Sequence, residues 1–148
     1  MVRTALLLAL VIAAPAAASE PLPGPIPAEV VRVIDADTIA VTARIWPGHT
    51  VATRVRLAGV DAPEISRPGC DAERAAGEAA TGFVRERLAP GSPVTLAAVE
   101  QGSFAGRVVA RLSDAEGRDL SEALLAAGHA VAYGEDGHWC GAAVERSR

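Results

Sequence analysis

The sequence predicts a mainly β domain with helices, an α+β chain whose sheet is a five-stranded barrel carrying two to three α-helices. Three observations lead there. Five short runs rich in Val, Ile and Thr are set apart by turns of Gly, Pro and Asp. One long stretch between the third and fourth run changes to the three-and-four spacing of a helix. Half of the 148 residues are apolar, enough for one compact core and too many for a disordered chain.

In chain order, residues 1–18 read as a signal peptide. Arg3 precedes an apolar run from Ala5 to Ala14, and Ala16-Ala17-Ala18 is the small-residue site that signal peptidases accept. A membrane anchor is the competing reading, but so short a run spans only about half of the hydrocarbon core at helical rise. Residues 19–28 hold "PLPGPIP", too rich in proline for helix or central strand, and form an extended lead-in to a single domain at 29–148. "EVVRVIDADTIAVTARI" gives two strands broken at Asp35-Ala36-Asp37, and "WPGHT" turns the chain into a third, "VATRVRL", which alternates along its length. Asp71 to Leu88 is an amphipathic helix with Asp71 as N-cap, its apolar stripe running through Ala72, Ala75, Ala76, Ala79, Phe83 and Val84, and Pro90-Gly91 stops it. "SPVTLAAVE" and "GRVVARLSD" are the last two strands. "DLSEALLAAG" is a short helix, with Asp119 and Glu122 spaced as a capping box and Gly128 as its stop. Five strands with a helix between the third and fourth are the arrangement of the oligonucleotide/oligosaccharide-binding (OB-fold) barrel.

The charge is unusual in kind. Every basic residue is arginine, no lysine occurs, and the formal net charge is −4. Loss of Arg3 with the leader makes the mature chain one unit more negative. Such a field does not draw the protein toward nucleic acid, so any anion site is local. Cys70 and Cys140, in a chain expected to be exported to the periplasm or the extracellular medium, are expected to form a disulfide. Closing that loop stabilises the fold by about 4 kcal/mol on the chain-entropy account. A metal site with His138 beside Cys140 lacks two further ligands. Trp139, next to Cys140, is expected to cover the bridge.

Four places in the chain carry chemistry: Asp35 and Asp37 in the first turn, "VRLAGVDAPE" from Val55 to Glu64, and Arg107 at the start of the fifth strand. Singly, each is an ordinary turn former or strand-face residue. Together, three carboxylates at strand ends supply oxygen ligands for a hard cation and one free acid, while two arginines from different strands can clamp a tetrahedral anion. Hydrolysis of a phosphodiester needs that set: a base for the attacking water and positive charge for a transition state that adds to an anionic phosphate.

The segments "VIDADTIAV", "VRLAGVDAPE", "AGRVVARL" and "LSEALLAAGHAVAY", in order from Val30 to Tyr133, resemble the thermonuclease family, the staphylococcal-nuclease-like domains. The resemblance implies a five-stranded barrel with helices, one Ca2+ in the active site, and cleavage of single-stranded DNA and RNA to leave 3′-phosphate ends. Matched position by position, it implies that Asp37 and Asp61 bind the metal through carboxylates and Ala62 through its backbone carbonyl. Glu64 is implied as general base, Arg56 and Arg107 as holders of the scissile phosphate, and Asp35 as a support behind the ligands. A monomer without membrane attachment after leader cleavage is expected.

The chain departs from the family's pattern in places. Ala36 stands where the family commonly has Gly between the two aspartates, and Ala105, not an aromatic, precedes Gly106-Arg107. Lysines and tyrosines that hold a nucleotide in some members have no obvious replacement, leaving Trp46, Tyr133 and Trp139 as stacking candidates, so weak affinity and little sequence preference are expected. Two other functions fit the residues: a non-catalytic barrel module that binds nucleic acid or a protein partner, and a metal phosphodiesterase acting on small nucleotides.

Overall fold

The computed structural model describes residues 20–141. The expected leader at 1–18 and the tail from Glu145 to Arg148 lie outside the described residues. The elements run β1 (Ile26–Asp35), β2 (Thr38–Trp46), β3 (His49–Leu57), β4 (Val60–Asp61), α1 (Asp71–Arg87), β5 (Pro93–Gln101), β6 (Arg107–Ser113), α2 (Leu120–Ala126) and β7 (Val131–Ala132). Five of the strands close into a barrel in the order β1-β2-β3-β6-β5, with β5 returning to β1. This is the OB-fold arrangement expected from the element order. All barrel neighbours are antiparallel except β3 and β6, which run parallel because α1 and β5 intervene between them.

Few strands can close a barrel only if they coil hard, and bulges supply the bend. Register shifts occur twice in β1, between Val30 and Arg32 and between Val33 and Asp35, and once in β5 between Ala97 and Glu100. The inward positions of the strands, among them Ile39, Val41, Val55, Leu57, Leu96 and Leu112, form one core cluster with Val84 and Leu88 at the end of α1 and Leu124 of α2.

The structure corrects several sequence expectations. The proline-rich lead-in is not outside the sheet: β1 begins at Ile26, which faces Leu96 of β5, and Leu22 bridges to Val99. Prolines are tolerated there because Ile26 and Pro27 pair only with β5 and have no partner on β2. The helix period in α1 is right but its phase is not. Ala72, Ala75 and Ala79 are exposed, and the buried stripe is Gly77, Ala80, Thr81 and Val84. In so alanine-rich a segment two stripes differ little in hydrophobicity, and the larger Val84 and Leu88 set the inward face. The N-cap is Cys70 rather than Asp71, its Sγ accepting from the Glu73 N–H at 3.4 Å. Ala36 makes the β1–β2 turn without a left-handed conformation and is itself buried. Asp119 does cap α2: its Oδ1 accepts from Glu122 N at 3.2 Å, and its Oδ2 from Arg111 Nε at 3.1 Å.

Candidate active site

The β1–β2 turn, the end of β3 and the loop after β4 meet at one end of the barrel, around a pocket of about 170 Å3. A larger concavity, about 680 Å3, opens between the start of β1, the end of β2 and the start of β5, and has no comparable gathering of acids. The four candidate acids, Asp35, Asp37, Asp61 and Glu64, line the smaller one.

Asp37, at the turn into β2, is 3% exposed. Its main-chain oxygen accepts from Leu57 N at 2.8 Å, which ties the turn to the end of β3. Its carboxylate Oδ1 accepts from Arg56 Nη1 at 2.5 Å and from Thr38 Oγ1 at 3.1 Å, while Oδ2 accepts from the Ala62 N–H at 3.0 Å. The other arm of the Arg56 guanidinium donates to Asp61. One arginine therefore holds two acids from different elements. Asp35 stands behind them, its Oδ1 accepting from Asp37 N at 3.3 Å. Burial pushes the Asp37 carboxyl from its ordinary 3.8 up to about 6; the Arg56 charge opposes this and the Asp35 charge adds to it.

Asp61 is fixed by an element too short to leave a pattern in the sequence. Its strand β4 pairs with β7, Val60 facing Ala132 and Asp61 facing Val131, and Tyr133 N donates to Gly59 O at 3.0 Å. Ser121 Oγ of α2 donates to Ala58 O at 2.9 Å, so α2 braces the same turn.

Glu64 lies on the loop between β4 and α1. That loop sits directly on α1 because residue 77 is glycine: a Cβ there would come within 2.5 Å of Ile65 Cγ2 and 2.7 Å of Pro63 O. Glu64 Oε1 accepts from Ser66 N at 2.7 Å, and no hydrogen bond to Oε2 is present among the described residues. Glu73 spans the loop, its Oε1 accepting from Glu64 N at 3.2 Å and its Oε2 from Gly69 N at 2.6 Å. Sequence reasoning missed Glu73. The signal was its position three residues after the true N-cap, where a glutamate reaches back over the helix start.

Asp35, Asp37, Arg56, Asp61, Ala62 and Glu64 all line the pocket. Arg107 is not among its lining residues. It opens β6, in register with Arg54 of β3 and two residues before Val109, which faces Arg56. Alternation puts Arg54, Arg56 and Arg107 on the outer face of the parallel pair. The Arg107 guanidinium lies 4.6 Å from the centre of the Phe104 ring, so Phe104 supplies the aromatic contact that Ala105 does not. Its Nε is buried with no acceptor among the described residues.

The disulfide joins Cys70 and Cys140 as expected, with Cα atoms 5.9 Å apart. Trp139 is another matter: its side chain lines the acid pocket beside Glu64 and Glu73, and is not merely a cover over the bridge.

The donors are carboxylate and carbonyl oxygens, which suit a hard dication, and the pocket walls carry five carboxylates against a single arginine. Among the described residues no three acidic, histidine or cysteine side chains form a cage by themselves. An ion bound here would rely on Asp37, Asp61, the Ala62 carbonyl and oxygens from water or substrate. Burial, more than the neighbouring Asp35 charge, raises the Asp37 carboxyl, and a bound cation would favour its ionised form.

No curated protein matches the chain by sequence. The staphylococcal nuclease homologue family model matches residues 54–142, more than half of the chain. The match begins inside β3, after Asp37, yet the fold brings Asp37 onto Arg56 and Ala62 within it. By that match, on a closed five-stranded barrel, the chain belongs to the staphylococcal nuclease homologue family, whose members are generally nucleases.

Proposed function

We propose that this protein is an exported, calcium-dependent, sugar-nonspecific nuclease that hydrolyses phosphodiester bonds of single-stranded DNA and RNA and leaves 3′-phosphate ends. The observation that carries the reading is the Arg56 fork between Asp37 and Asp61, beside Glu64: groups far apart in the chain share one pocket.

Asp37, Asp61 and the Ala62 carbonyl are the residues to hold Ca2+, which when bound supplies positive charge at the phosphate and lowers the cost of ionising water. Glu64, with Oε2 uncommitted, takes the proton of the attacking water. The water oxygen bonds to phosphorus, the P–O5′ bond breaks, and the departing 5′ oxygen takes up a proton from solvent. Arg56 and Arg107 donate to the phosphate oxygens as charge builds on them. A phosphate competes with Asp37 and Asp61 for the Arg56 fork, so substrate and cation support each other: the cation takes the acids and the phosphate takes the arginine. Asp35 keeps the Asp37 turn in place.

The disulfide fits an oxidising compartment, periplasm or medium, and a leader at residues 1–18 would take the chain there. No helix among the described residues is long and apolar enough to cross a membrane. The barrel core is complete within one chain, which suits a monomer.

The test is incubation of the purified protein with single-stranded DNA and RNA, in calcium and in chelator, followed by end-group analysis. Calcium-dependent cleavage with 3′-phosphate ends is expected; no cleavage, or activity indifferent to Glu64→Gln, overturns the reading. The net negative charge and small pocket favour, as a second reading, a metal phosphodiesterase for small nucleotides. A dinucleotide ester cleaved faster than the polymer, with little salt dependence, would select it.

A further inference from the structure

The indole of Trp139 occupies an unlikely position for a residue in irregular backbone. It belongs to neither the core cluster nor a helix or strand, yet it is the aromatic residue lining a pocket that holds five carboxylates. Local features seat it there. Its ring lies against the main chain of Gly137, where any Cβ would run into the indole. Two tight turns frame it, His138 N donating to Asp136 Oδ1 and Gly141 N to His138 O, each at 2.9 Å. The next residue, Cys140, is bonded to Cys70, the cap of α1, three residues before Glu73. The covalent tie thus joins the indole to the helix end that holds the Glu64 loop.

We propose that Trp139 is a substrate-contact residue, its indole receiving the base or sugar next to the scissile phosphate, and that the Cys70–Cys140 disulfide is what holds it in that position. The proposal rests on the nuclease reading given above. An anionic strand entering this pocket meets five carboxylates and one arginine, so the approach needs a surface that attracts without charge. A flat aromatic face does so, and it accepts any base because every base has a π face. The most exposed aromatics are placed elsewhere: Trp46 is 70% exposed beside the β2–β3 turn, Phe104, 67% exposed, lies against Arg107, and Tyr133, 76% exposed, follows β7. None of the three lines the pocket.

The experiment compares the parent, Trp139→Phe and Trp139→Ala on a single-stranded oligonucleotide in calcium, under non-reducing conditions, with melting curves for each. Trp139→Ala is expected to raise KM about ten- to a hundredfold while kcat stays within about threefold, and Trp139→Phe to recover most of the loss. In Trp46→Phe protein, Trp139 is the sole tryptophan. Its emission is expected to change on adding oligonucleotide, and much less on adding one with an abasic residue at the cleavage position. Reduction of the disulfide is expected to raise the parent's KM and to add little to that of Trp139→Ala, since both remove the same surface. Cleavage with KM unaltered in Trp139→Ala, or emission indifferent to oligonucleotide in a cleaving protein, overturns the proposal and leaves the nuclease reading intact. A parent that neither binds nor cleaves nucleic acid overturns both.

Discussion

Glu73 Oε1 accepts the main-chain N–H of Glu64 at 3.2 Å, so the proposed base is positioned by another acid through its backbone while its own Oε2 has no hydrogen bond among the described residues. The second Glu73 oxygen takes Gly69 N at 2.6 Å, closing the loop from its far side. Glu73→Ala is expected to lower kcat about tenfold or more by letting the loop wander, with Glu73→Gln intermediate because it keeps an acceptor for one of the two donors. Steady-state kinetics on both variants, alongside melting curves, check this.

Glu64→Gln and Arg107→Ala are each expected to reduce kcat by about a hundredfold or more without a large change in melting temperature. One preorganised electrostatic group commonly has that effect on the reaction, and neither residue is part of the core cluster. Activity within a few-fold of the parent in either variant would remove that residue from the mechanism.

The raised Asp37 carboxyl makes a pH prediction whose sign is opposite to that of an ordinary ion-paired acid. Its folded value, about 6, lies above its ordinary 3.8, so between them the folded protein holds a proton that the unfolded chain has lost. Stability of the metal-free protein therefore falls as pH rises through that window, by an Asp37 contribution of up to about 3 kcal/mol. Calcium needs the ionised carboxylate, so its affinity tightens over the same window. Asp114 behaves conventionally: although burial acts to raise it, hydrogen bonds from Arg118 hold it below 3.8, so its contribution is lost only in stronger acid. Melting temperatures from about pH 2 to 8, with calcium and with chelator, separate the two; Asp37→Asn should flatten the upper window alone.

Gly77→Ala tests the seat of the loop. In a helix interior alanine gains about 1 kcal/mol over glycine. Here the new Cβ would meet Pro63 O at 2.7 Å, a backbone atom that cannot rotate away, and overpacking costs about 1–3 kcal/mol. The expected result is a lower melting temperature and, because the displaced segment carries Glu64, a proportionally larger fall in kcat.

The barrel strands were legible because Val, Ile and Thr alternate along them, and the convergence of Asp37, Arg56 and Asp61 followed from motif positions on neighbouring strand ends. The β4–β7 ladder was not legible: Val60–Asp61 and Val131–Ala132 are each too short to show a period, and they pair across about 70 residues of intervening chain. The phase of α1 was misread because alanine surrounds the glycine that matters. Glu73 was hidden by placing the N-cap one residue late, since cysteine is an unusual cap. The place of Trp139 depends on a covalent link between residues separated by 70 positions, so the neighbours of Trp139 in sequence say little about its neighbours in space.

The parallel contact of β3 with β6 orders events in time as well as space. β1, β2 and β3 are consecutive hairpins that can form as soon as they exist, bringing Asp37 against Arg56. The partner strand comes only after the helix and the fifth strand have been made, because a parallel neighbour needs a crossover. A chain stopped short of β6 carries both aspartates, the first guanidinium and Glu64, but lacks the second guanidinium and the strand that backs the first. On the proposed nuclease reading, the full set of phosphate-handling groups comes together only when β6 closes the barrel.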